Sequence, residues 1–228
     1  MIVAQQKPLA EIKGMLAGYR KILILGCGTC TTVCFAGGEK EVGVLASALR
    51  MVSRIEGGEK KVEELTIQRQ CEWEFIDPIA ESLRAAEAVL SLGCGVGVQA
   101  IAERVPEARV LPGLNTAFMG QPLAQGIWSE RCAGCGDCVL HLTGGICPIA
   151  RCSKSLLNGP CGGAQGGQCE VDSSIECAWQ LIYERLKALG QLHLMAEIIP
   201  HKDWARGRDG GPRRIVREDL LIEEREIV

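Results

Sequence analysis

The sequence predicts an α/β protein: a small doubly wound parallel sheet, then a cysteine-rich segment, then an extended C-terminal tail. Three observations predict it. Residues 1–125 alternate short apolar runs with helical stripes. Residues 126–172 hold seven of the 13 cysteines among many glycines. Residues 191–228 scatter Pro200, Gly207, Gly210, Gly211 and Pro212 among charges. The expected domains are therefore 1–125, 126–190 and 191–228.

Pro8 fits the first turn of a helix with Ile12, Leu16 and Tyr19 on one face. Lys21-Ile22-Leu23-Ile24-Leu25 is a short continuous apolar run, the pattern of a strand buried on both faces of a parallel sheet. Residues 39–54 space Val42, Leu45, Ala46, Leu49 and Val52 as one helical face. Strands are expected at 62–68, 88–92 and 109–111, with helices at 78–86 and 98–104 between them. This βαβ series, with right-handed crossovers, makes a doubly wound sheet. Residues 126–172 show little apolar periodicity and cannot build a core from side chains alone, so bound metal must supply folding energy and the domain is metal-stabilised. A last helix is expected over 174–189, with Ser173 and Glu176 as a capping box and Gly190 as the C-cap.

Composition excludes several classes. The formal charge of −3 provides no basic field for nucleic acid or anionic lipid, and the arginines at 206, 208, 213, 214 and 217 are interrupted by acids. No run approaches the length of a transmembrane helix. The N-terminal residues lack the basic-then-apolar order of a secretory signal, so a cytoplasmic location is expected. Thirteen cysteines against nine aromatic residues is the outlier. In a reducing compartment, clustered cysteines read as metal ligands or redox groups. Thirteen is three sets of four ligands with one over. His141, His193 and His201 are isolated and gain no role.

Cys27, Cys30 and Cys34 follow the first strand, Cys71 the second and Cys94 the third. In a parallel sheet all five lie at the carboxyl edge, where open α/β sheets bind ligands. Four thiolates there complete a [4Fe–4S] cluster. The sequence leaves open which is spare, with Cys27, at the strand end itself, the first choice. Three other readings of this loop are weaker. Gly26-x-Gly28 lacks the third glycine of a dinucleotide fingerprint. Cys-x2-Cys-x3-Cys is the reverse of the radical-SAM order. A thioredoxin-like pair at Cys27 and Cys30 does not account for the other thiols on the same edge.

The second group is Cys132, Cys135, Cys138, Cys147, Cys152, Cys161, Cys169 and Cys177. Its Cys-x2-Cys-x2-Cys start and Cys147-Pro148 resemble parts of a bacterial ferredoxin run, although the Cys-Pro comes too late for that fold. Eight thiolates suffice for two sites: two clusters, or one cluster and one tetrahedral Zn2+. Two rival functions remain: a structural zinc module for assembly, and a thiol–disulfide redox protein.

The run Leu25-Gly26-Cys27-Gly28-Thr29-Cys30, with Gly37-Gly38-Glu39-Lys40-Glu41-Val42, Arg69-Gln70-Cys71-Glu72, Cys94-Gly95-Val96-Gly97-Val98-Gln99 and Pro112-Gly113-Leu114-Asn115-Thr116, resembles one family's first domain. Cys132 through Asn158-Gly159-Pro160-Cys161-Gly162-Gly163 to Lys202-Asp203-Trp204 is similar to the methylenetetrahydrofolate reductase C-terminal cysteine-rich domain. Together they resemble the MetV-type small iron–sulfur subunit of the two-subunit methylenetetrahydrofolate reductase of acetogens and related anaerobes. The resemblance implies a non-catalytic electron-transfer subunit of one-carbon metabolism, in the methyl branch of the Wood–Ljungdahl route. Two to three [4Fe–4S] clusters would pass electrons to FMN on a TIM-barrel partner subunit. A ferredoxin or a larger heterodisulfide-reductase-like complex would complete the chain, and the tail would dock on a partner.

Overall fold

The computed structural model describes residues 1–220, and the chain divides into two compact units, Met1–Glu130 and Arg131–Val228. In chain order the first unit contains β1 (Ile2–Gln6), α1 (Leu9–Met15), β2 (Lys21–Cys27), α2 (Cys30–Val33), α3 (Glu39–Ile55), β3 (Lys61–Ile67), α4 (Trp73–Ile76), α5 (Ala80–Ala85), β4 (Ala88–Ser91), α6 (Gly95–Arg104), β5 (Val110–Pro112) and β6 (Leu114–Ala124). The next strand, β7 (Ile127–Cys132), runs across the boundary. The second unit adds α7 (Pro148–Arg151) and α8 (Ala178–Ala188).

β3, β2, β4 and β5 form a parallel sheet in that order, as the apolar runs predict. The two-sided burial of β2 explains why its sequence is apolar without alternation. Ile22 and Ile24 pack in one core with Val42, Leu45, Ala46 and Leu49 of α3, together with Ile12 and Leu16. Leu23 and Leu25 pack in the opposite core with Ile76, Leu83, Ile101 and Val105. Helices cover both faces, which is the doubly wound arrangement. Each of these fully buried Leu or Ile side chains contributes roughly 1.5–3 kcal/mol of transfer free energy. α3 starts at Gly38, whose N–H donates to Glu41 Oε2 at 3.0 Å.

A second sheet, in the order β1-β6-β7, is an addition to the sequence prediction. β1 and β6 pair antiparallel, with a register shift between Val3 and Ala4. Val3, Ala4 and Leu114 join the core beneath α3. Most of β6 is exposed, so it carries none of the apolar periodicity that reveals a buried strand.

Within the second unit the predicted last helix is shorter at its start than expected. It begins after Cys177, not Ser173. Ser174 is held instead by Asp172, whose Oδ1 accepts from both its N–H (2.8 Å) and its hydroxyl (2.7 Å). That local Asx bond competes with helix formation. The C-terminal end is as predicted. Gly190, at φ +69°, donates to Lys187 O, and Gln191 donates to Leu186 O, which together make a Schellman motif. Trp179, Ile182 and Leu186 form a small core with Cys177. Beyond α8, Asn158 and the backbone of Ile199 exchange two hydrogen bonds of 2.9 and 2.8 Å. The stretch expected as an extended tail therefore starts by packing on its own unit, while residues 221–228 of that tail lie outside the described residues. No helix among the described residues is long and apolar enough to cross a membrane.

Candidate metal-binding cysteine groups

The parallel register sets the first group. Cys27 ends β2 opposite Ile67, the last residue of β3, and β4 ends at Ser91, three residues before Cys94. Cys71 follows β3 by four residues. Burial is the main reason the Cys71 thiol is pushed above its ordinary range, and the neighbouring Cys27 and Cys94 push it further. The fold thus brings the thiols of Cys27 and Cys94 each within electrostatic reach of Cys71. Cys27 Sγ lies 3.6 Å from Thr29 Oγ1 and 3.9 Å from Gln68 O. Cys94 is the N-cap of α6.

Cys30 and Cys34 lie one turn apart around α2. Cys30 is half-buried. Cys34 is buried and turned inward, its Sγ donating to Ala4 O and Thr31 O, both at 3.6 Å. It belongs to the core that contains Val3, Ala4 and Ala36. Burial pushes its thiol up, with a smaller push from Cys30. Of the five, Cys34 is the one built into packing, while Cys27 stands with Cys71 and Cys94.

Sequence reasoning missed Gln70. This side chain is fully buried. Its Nε2 donates to Leu25 O at 2.8 Å, and its Oε1 accepts from Ser91 Oγ at 2.5 Å. Ser91 Oγ in turn accepts from Gly93 N at 3.1 Å. One amide therefore joins the end of β2, the loop carrying Cys71 and the loop carrying Cys94. Gly97 of α6 makes room for it, since a Cβ there would lie 2.7 Å from Gln70 Cβ. A glutamine beside a cysteine in a strand-end loop is the only sequence signal.

The second group occupies loops. Cys132 Sγ accepts from Gly134 N, and Cys147 Sγ, at the N-cap of α7, accepts from Ala150 N, both at 3.4 Å. Amide donors aimed at sulfur suit a thiolate. Cys135 Sγ lies 3.6 Å from Asp137 O. Cys169 Sγ shares a 3.4 Å hydrogen bond with Ser153 Oγ, and that bond is the main cause that lowers its pKa. Cys152 and Cys177 pack in the core of α8, while Cys132, Cys138 and Cys161 are exposed. Lys202, also missed, has its ammonium bonded to Asp137 O between Cys135 and Cys138.

Among the described residues, no three His, Cys, Asp or Glu side chains crowd closely enough to share one bare ion. The donor set fits thiolate-bound metal: soft ligands, amide donors to sulfur, and glycine-rich loops around them.

The fold is thus of the α/β class, a doubly wound parallel sheet with cysteines at its carboxyl edge, followed by a cysteine-rich unit. Comparison with known families gives a more particular result. Residues 111–205 match the family model described as "Methylene-tetrahydrofolate reductase C terminal". The match relates the cysteine-rich part of the chain to methylenetetrahydrofolate reductase. No curated protein and no solved structure matches the chain.

Proposed function

We propose that this chain is the iron–sulfur electron-transfer subunit of a methylenetetrahydrofolate reductase and passes electrons to FMN on a partner flavoprotein subunit. The carrying observation is the convergence of Cys27, Cys71 and Cys94 from three strand ends onto one edge. The family match over residues 111–205 supports the link to the reductase. In the first unit Cys27, Cys30, Cys71 and Cys94 would hold one cluster, with Cys34 the spare thiol. In the second unit the eight cysteines from Cys132 to Cys177 would hold the remaining metal. Bound clusters supply one-electron chemistry without acid–base catalysis. The chain contributes thiolates, amide donors to sulfur, and burial, which together set the potential. The tail beyond Arg213 would dock on the partner.

Anaerobic purification with iron, sulfide and zinc analysis, combined with capture of the partner flavoprotein, tests this reading. Iron and sulfide at about four each per [4Fe–4S] site, with flavin in the captured partner, is the expected result. Zinc without iron would make the chain a structural module.

A further inference from the structure

Among the described residues Lys202 is the one charged side chain that is buried, with only 1% of that side chain exposed. It lies in the Lys202-Asp203-Trp204 run. Its ammonium donates to the backbone carbonyl of Asp137 and sits 3.7 Å from Asp137 Oδ2. Asp137 falls between Cys135 and Cys138. Its carboxylate is 42% exposed and well solvated, so it is a poor counter-charge at that distance. Taking an ammonium out of water is costly unless an anion compensates it.

The surroundings deepen the imbalance. The segment after Lys202 lies directly on the same loop. Gly136, at φ +79°, has no room for a Cβ because the Arg206 carbonyl stands there. The Arg213 guanidinium donates to Gly134 O at 3.0 Å and to Arg206 O at 2.7 Å. Two cations therefore clamp the backbone of a loop whose side chains include three thiols, and Asp137, the acid beside the ammonium, faces water.

We infer that Lys202 is the buried counter-charge of an anionic metal–thiolate centre on the Cys132–Cys138 loop. The inference rests on the metal reading above and goes beyond it by assigning a residue that is no ligand. Four thiolates around a [4Fe–4S] core, or around Zn2+, leave a net negative charge. A fixed ammonium beside that charge holds the centre. It also stabilises the reduced form more than the oxidised form, since the reduced form carries one more negative charge. Lys202 thus raises the reduction potential of this centre relative to an uncharged neighbour.

The test uses the full chain, purified anaerobically, as wild type, Lys202→Met and Lys202→Arg. Metal content is measured, and EPR-monitored redox titration gives each midpoint. The signal lost in Cys135→Ser identifies the loop's centre. In Lys202→Met that centre is expected to move to a more negative midpoint, or to be lost, with the other signals in place. Lys202→Arg is expected to follow the wild type. Lys202→Met with unchanged metal and midpoints overturns the inference. So does Lys202→Arg failing as Lys202→Met does, because shape and not charge would then matter. A wild-type protein with zinc and no iron sinks the relay reading but not this one. Zinc loss to a chelator must then be faster in Lys202→Met than in Lys202→Arg, and equal rates overturn it.

Discussion

Gln70 Oε1 accepts the Ser91 hydroxyl hydrogen at 2.5 Å, and this one bond ties the Cys71 loop to the end of the strand that leads to Cys94. Gln70→Leu keeps the approximate volume but removes one of the two donors to the Leu25 carbonyl, which keeps the Leu92 N–H, and takes the acceptor away from the Ser91 hydroxyl hydrogen. A buried donor left unsatisfied costs about 1–3 kcal/mol. Denaturant unfolding of the first unit should shift by that order, and iron retained by the first unit should fall while the second unit keeps its metal. Ser91→Ala should cost less in the Gln70→Leu background than alone, because the two side chains are coupled. Additive effects would show that the network does not act as a unit.

Parts of this arrangement were legible in the sequence. The four parallel strands were, because burial on both faces forces runs such as Ile22 to Leu25 to be apolar throughout. The strand ends then place Cys27, Cys71 and Cys94 without further information. β1 and β6 were not legible, since few of their residues are buried and β6 contains Gly120 and Pro122. The direction of Cys34 depends on the single turn of α2 and on Ala4, a strand partner that local pattern does not reveal. Gln70 and Lys202 are single polar residues whose roles arise only from what folds around them.

Cys34 and Cys71 should respond differently to removal. Cys34→Ala deletes a buried sulfur with two weak carbonyl contacts, at a cost of about 1 kcal/mol for the void. Iron and sulfide per chain should stay at the wild-type level. Cys71→Ala should abolish the first-unit cluster. Equal iron loss from both variants would put Cys34 among the ligands.

Gly97→Ala sets two effects against each other. Alanine favours a helix interior by about 1 kcal/mol over glycine. The added Cβ would lie 2.7 Å from Gln70 Cβ, which is backbone-proximal and held by a hydrogen-bonded amide. Overpacking of this kind costs about 1–3 kcal/mol, so the variant should be less stable despite its better helix propensity. Thermal unfolding reads the sign directly, and a higher Tm would show that the Gln70 loop yields easily.

Metal removal should affect the two units unequally. The first unit has an apolar core on each face of its sheet, whereas among the described residues the second has the small core beneath α8 alone. Chelation after oxidative cluster breakdown should open the segment from Arg131 onward to protease while residues 1–130 persist as a resistant fragment. Mass spectrometry of the fragments checks this. Protection of the second unit in metal-free protein would mean that its loops fold without metal.

Two truncations separate what the C-terminal stretch does for its own unit from what it does for a partner. Ending the chain after Arg213 keeps Lys202 on Asp137 and Arg213 on Gly134. Ending it after Ile199 removes both cations while leaving the Asn158 bonds to Ile199. The shorter chain should lose metal from the second unit, since its loop is left without either clamp. The longer chain should retain full metal but bind the partner flavoprotein more weakly, because only the docking segment is gone. Anaerobic co-purification with metal analysis of both chains measures the two effects together. If the chain ending at Arg213 captures the partner as well as the full chain does, docking lies elsewhere on the molecule, and residues 200–213 act as a strap on the Cys132–Cys138 loop alone.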